Sequence, residues 1–109
     1  MLFSNVVEEY IDHIFKKYGQ YADKDKLNNF YKNCIEDNFT SIEVENVTEE
    51  NVVELVSQAS KEDFYLAKKY VEIFNRIFSY AMYKGYRKNK FRTLQIKGSA
   101  QNKIVIYAK

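Results

Sequence analysis

A mainly α fold of four helices, followed by a β-hairpin or an extended tail, is what this sequence predicts, and three observations carry the prediction. Apolar residues recur at spacings of three and four from Val7 to Ala81, the period of a helix with one buried face. Proline is absent and glycine occurs only three times, so little breaks those segments. Beyond Gly85 the pattern changes to the β-type runs FRTLQIK and KIVIYAK.

The first helix is expected to start at Ser4 or Asn5, with Asn5 as cap and Glu8 three residues on. Val7, Ile11, Ile14 and Tyr18 supply its face, and Gly19 stops it. A second helix opens near ADKDK, buries Leu27, Phe30, Tyr31, Cys34 and Ile35, and runs to about Asn38. FTSIEVENV alternates and reads as an extended connector. Thr48 caps a third helix, with Glu49 and Glu50 at its electropositive first turn and Val52, Val53, Leu55 and Val56 as packing residues.

The fourth helix has the clearest pattern. Ser60 reads as its cap with Asp63 three residues later. One stripe holds Phe64, Ala67, Val71, Phe74, Phe78 and Ala81; a second holds Leu66, Tyr70, Ile73 and Ile77. A face that wide belongs at the centre of a core. What remains outside is a polar ridge of Lys61, Tyr65, Lys68, Lys69, Glu72, Asn75, Arg76 and Ser79, and Gly85 is a natural stop. The two β-type runs flank the loop GSAQN. The expected organisation is thus a helical domain over 1–90 and, over 91–109, a hairpin or a linker towards a further domain.

Length and composition narrow the function classes. A chain of 109 residues carries one modest core, and at 46% apolar it is too hydrophobic for a disordered segment. No apolar run approaches the roughly 18 residues of a membrane span. MLFSNVVEEYID places acids inside its first apolar stretch, unlike a signal peptide. The single cysteine, Cys34, has no internal partner; it reads as a small buried hydrophobe, and a reducing cytoplasm suits it.

Catalytic and metal signals are missing. His13 is the only histidine and has no cluster of ligands beside it. There is no glycine-rich phosphate loop and no nucleophile with a recognisable base. Adjacent acids such as Glu8 and Glu9 point to different sides of a helix. The expectation is a non-enzymatic chain without cofactor or metal.

The net charge of +2 conceals a division of the chain. Residues 1–60 hold 12 acids and 5 bases, a net of −7; residues 61–109 hold 12 bases and 3 acids, a net of +9. Such a split is the footprint of a polyanion partner, or of two halves that pack on each other.

Three stretches carry a family resemblance: FSNVVEEYIDHIFKKYG, DKLNNFYKNCIEDNFTSIEVENVTEENVVELVSQA and SKEDFYLAKKYVEIFNRIFSYAMYKG. In order and in helical signature they resemble the core-binding, SAM-like domain of phage integrases and other tyrosine recombinases, with VENVTEENVVEL and NRIFSYAMYKG closest to the pattern. The resemblance spans roughly residues 3 to 88. It implies a four-helix module that clamps double-stranded DNA, second and fourth helices towards the major groove, in integration and recombination. On that basis Lys24, Lys26, Asn28 and Lys32 of the second helix and Lys61, Tyr65, Lys68, Lys69 and Arg76 of the fourth would face DNA. Arg87, Lys88, Lys90 and Arg92 of the basic tail would hold phosphates, and Asn75 would reach sugars or base edges. The family's catalytic residues belong to a second domain, and no matching Arg, His-x-x-Arg and Tyr set follows here.

Two other readings compete. The final hairpin could be the wing of a winged-helix DNA-binding protein, with Lys97 and Lys103 on the wing. Alternatively, Glu43, Glu45, Glu49, Glu50 and Glu54 could face a basic protein partner, as in a mobile-element or phage regulator of nucleic-acid-mimic or anti-CRISPR type.

Overall fold

In the computed structural model, residues 1–98 and 104–109 are described, and the expected architecture is there: a helical bundle with a small C-terminal antiparallel hairpin. Helix α1 runs Phe3–Tyr18, α2 Lys24–Phe30, α3 Glu49–Ala59 and α4 Phe64–Tyr83; strands β1 (Leu94–Lys97) and β2 (Val105–Ala108) follow. Most of the loop GSAQN, and Lys103 with it, lies outside the described residues.

Helix α1 starts earlier than its cap signal suggests. Asn5 and Glu8 form no capping pair; Leu2 occupies the cap position without a side-chain bond. The N–H of Phe3 donates instead to the Ile42 carbonyl at 2.9 Å, and that of Val44 to the Met1 carbonyl at 3.0 Å. The connector thus supplies, through the Ile42 carbonyl, an acceptor of the kind a cap would have supplied, and donates in return through Val44. At the other end Gly19 takes φ +54, the left-handed turn that ends the helix.

Asp23 caps α2, its Oδ1 accepting the Lys26 N–H at 3.0 Å. The second helix does not continue evenly to Asn38. It widens after Phe30 into a π-turn over Tyr31–Ile35, with the Glu36 N–H on the Tyr31 carbonyl at 3.0 Å. The extra residue lets Phe30, Cys34 and Ile35 all reach the core, where each is fully buried. Burial pushes the Cys34 thiol up to about 12, which makes it an inert packing group.

The connector is not extended throughout. It folds into turns, a single bridge between Leu2 and Glu43, and a 3-10 turn over Val44–Asn46, burying Phe39, Val44 and Val47. Thr48 and Asn51 then form a reciprocal capping box at α3, with N–H to side-chain oxygen distances of 3.0 and 3.1 Å.

Ser60 is not the cap of α4. It ends α3, buried, while Lys61 and Glu62 turn the chain with φ +50 and +67. Asp63 caps α4 instead, Oδ1 accepting the Leu66 N–H at 3.1 Å. The helix ends at Gly85, φ +77, where the Tyr86 N–H reaches the Ala81 carbonyl at 2.8 Å and the Gly85 N–H the Met82 carbonyl at 3.1 Å.

As its two apolar stripes require, α4 is the central strut. Ala67, Tyr70, Val71, Ile73, Phe74, Ile77, Phe78 and Ala81 are buried. Phe74 meets Phe30 edge-on at 4.9 Å between ring centroids, and Phe78 stacks on Phe3 at 5.1 Å and on Phe91 at 3.6 Å. Strand β1 lies on α4 and β2 on α3, paired from Leu94 with Ala108 to Lys97 with Val105. Phe91, Leu94 and Ile106 enter the same core as the helices. Seated this way, the base of the hairpin lies on the bundle and does not stand out from it as a wing.

Candidate nucleic-acid interface

Helical geometry divides α4 into a core side and an outer side. Tyr65, Lys68, Lys69, Glu72, Arg76 and Ser79 are exposed on the outer side, opposite Val71, Phe74 and Phe78. Lys61 is exposed as well, but in the turn before the helix. Asn75 departs from the ridge: its amide is bonded to the backbone of Leu94 and fastens β1 to α4, so it is not a base-reading group.

Between α1, the turn after it, α2 and α4 lies an open cleft of about 390 Å³. Lys26 of α2 and Arg76 of α4 line it together with Tyr10, Ile14, Tyr18, Tyr21, Asp23 and Ile73. Among the described residues neither cation is in an ion pair. The cleft therefore joins cations from the second and fourth helices in one concave, aromatic-walled place.

The other expected contacts sort differently. Lys24 rests over the Phe15 ring at 5.7 Å, and Lys32 is exposed in the π-turn. Asn28 faces a separate groove beside Glu8 and Asp12, an environment that repels phosphate. Lys88, Lys90 and Arg92 are exposed on the segment after α4.

Arg87 leaves the phosphate-binding set. It is buried; Nη1 donates to the carbonyls of Val44 at 2.6 Å and Val47 at 2.8 Å, and Nε to that of Asn89 at 2.8 Å. Phe78 and Phe91 flank the guanidinium at 5.3 and 5.4 Å. It ties the basic segment to the acidic connector.

Acids complete that junction. The Glu45 carboxylate accepts the N–H groups of Lys88 and Asn89 at 3.0 Å, and Glu49 accepts that of Arg92 at 2.7 Å and lies 3.6 Å from its Nε. The Asn89 and Lys88 N–H groups hold Glu45 below the usual carboxylate value. Burial works to raise Glu49, but the Arg92 N–H and charge bring it below as well. Glu43 binds the N-terminal ammonium. Three of the five acids considered for a protein partner thus have internal duties, leaving Glu50 and Glu54 on the surface of α3.

Other residues stood out only once the chain was folded. Glu9 accepts the hydroxyls of Tyr80 at 2.7 Å and Tyr86 at 2.8 Å, which lower its pKa and join α1 to the end of α4. Burial and Glu9 push Tyr80 up to about 12. The Asn33 amide donates to the Tyr70 hydroxyl at 3.0 Å, linking the π-turn to α4. Tyr18 and Tyr21 stand at the cleft mouth, Tyr21 with 83% of its surface exposed. The only advance signal was a tyrosine on either side of a helix-stopping glycine.

Chemically, this surface can hold anions and stack flat rings. Among the described residues no group of three or more His, Cys, Asp or Glu is placed to hold a metal, and no helix is long and apolar enough to cross a membrane. Compared with known families, the chain matches the phage integrase central domain over residues 3–96. It belongs to that family. No curated protein and no solved structure matches the chain significantly. The match extends past α4 into β1, so it takes in the start of the hairpin as well as the helices.

Proposed function

We propose that this integrase domain is a non-catalytic DNA-binding module that clamps duplex DNA through its phosphates during integration or recombination. The observation that carries the reading is the convergence of Lys26 from α2 and Arg76 from α4 in one cleft, with Lys69, Lys68 and Tyr65 exposed further along the outer side of α4, which also carries Glu72. Family membership supports it, since an integrase works on DNA. The lysines supply sequence-independent attraction, and the exposed side chains of Lys88 and Lys90 add cations after α4, whereas Arg92 is paired with Glu49. A buried, unpaired Cys34 suits a reducing cytoplasm.

Titrating the chain against a fluorescent random-sequence duplex at two salt concentrations tests this. Affinity that falls steeply with salt is expected, because each neutralised phosphate releases counterions. Absence of binding at low salt would overturn the reading and turn attention to Glu50 and Glu54 as contacts for a basic protein.

A further inference from the structure

Duplex clamping accounts for the cations of the cleft but not for its tyrosines. Tyr21 is 83% exposed and Tyr18 48%, both at the mouth of a cavity whose floor is Leu27, Ile73 and the nearly buried Tyr10. An exposed aromatic gives up the apolar burial it would gain in the core. Here two of them stand within one turn of chain, held by Gly19, whose φ of +54 ends α1 and brings the backbone round. Lys17, which does not line the cleft, lies over the Tyr18 ring at 5.4 Å. The one acid of the lining, Asp23, has an oxygen engaged on the Lys26 N–H at 3.0 Å as the cap of α2.

We infer that this cleft is a subsite for one unstacked nucleotide of a single-stranded or splayed DNA strand. Lys26 and Arg76 hold its phosphate, and its base lies on the rings of Tyr21 and Tyr18. The inference rests on the DNA-binding reading and deepens it by naming a further form of DNA, an unpaired strand, that the cleft accepts besides duplex. A volume of about 390 Å³ suits a ligand the size of one nucleotide, at the small end of ordinary ligand pockets. Stacked duplex presents no free base face; an unpaired strand does. A cationic groove with an exposed aromatic platform is the general solution for binding such strands without reading sequence.

The test uses the full chain, a labelled oligothymidylate, and a labelled random duplex without unpaired ends. Wild type should bind both. Tyr21→Ala should weaken oligothymidylate binding roughly 5- to 150-fold, the loss of about one stacked base, while duplex affinity stays as it was. Tyr21→Phe, which keeps the ring and loses the hydroxyl, should restore single-strand binding. Because Tyr21 is a surface residue, circular dichroism should show all variants folded. If Tyr21→Ala binds both probes like wild type, or wild type binds duplex alone, the subsite is overturned and the duplex reading stands. If wild type binds neither probe at low salt, both fall together.

Discussion

Asn75 and Leu94 form a two-point contact in which a side chain substitutes for a neighbouring strand. The Asn75 amide donates to the Leu94 carbonyl and its Oδ1 accepts the Leu94 N–H, each at 2.9 Å. By this pair the hairpin is keyed to α4, although a lone hairpin of two short strands has little stability of its own. Asn75→Leu leaves both backbone groups of a buried residue without partners and should cost about 1–3 kcal/mol. Urea unfolding measures it, and hydrogen exchange at the Leu94 amide should speed up in the same variant.

Arg87 makes a similar argument across the charge division. Its fork reaches three carbonyls, which a lysine ammonium on a flexible stem cannot serve in the same geometry. Arg87→Lys should therefore lower stability by about 1.5–3 kcal/mol, the range for hydrogen bonds from charged donors. Duplex affinity of the folded fraction, and its salt slope, should not change. A fall in duplex affinity of the folded fraction would mean that the guanidinium does reach phosphate.

The reverse pattern is expected on the outer face of α4. Lys68→Glu combined with Arg76→Glu should abolish duplex binding and leave helix content unchanged, because both side chains are exposed. Anisotropy and circular dichroism on one sample check the two halves of the statement. Wild-type binding by the double variant would remove this face from consideration.

Phe74 tests the packing. It is fully buried among Phe3, Phe30 and Phe39, so Phe74→Ala should cost about 3–5 kcal/mol in transfer and cavity terms. That is a large share of the roughly 5–15 kcal/mol available to a small domain, and the melting temperature should fall accordingly.

Acid should loosen the junction between the connector and the segment after α4. Glu45, Glu49 and Glu9 all have folded values below the ordinary 4.5, since N–H or O–H donors favour their charged forms. A group lowered on folding stabilises fully above its unfolded value, and that contribution disappears as pH falls through the folded value. Stability should thus be level above about pH 5 and decline below the ordinary carboxylate value. In Glu45→Gln the acid decline of the urea midpoint should be smaller.

Much of this was legible in the sequence because it depends on local periodicity. The two stripes of α4, the Thr48 cap and the stops at Gly19 and Gly85 are each set within a few residues. Local signals were overridden where a distant segment competes for the same backbone groups. Ile42 serves the N–H of Phe3, so α1 needs no Asn5 cap; Asp63 outcompetes Ser60 once Lys61 and Glu62 adopt left-handed turns. A π-turn replaces the even end of the second helix because Phe30, Cys34 and Ile35 must all point inward.

Function divides along the same line. Residue order alone established a mainly helical integrase-type domain and its −7 and +9 halves. It could not tell which cations are free, since charge is counted per residue whereas availability depends on neighbours. Only the tertiary structure put Arg87 among buried carbonyls and left Lys26 and Arg76 to share a cleft with Tyr18 and Tyr21. The physical reason is that a buried guanidinium is held by partners some 40 residues away in the chain, contacts no local pattern can encode.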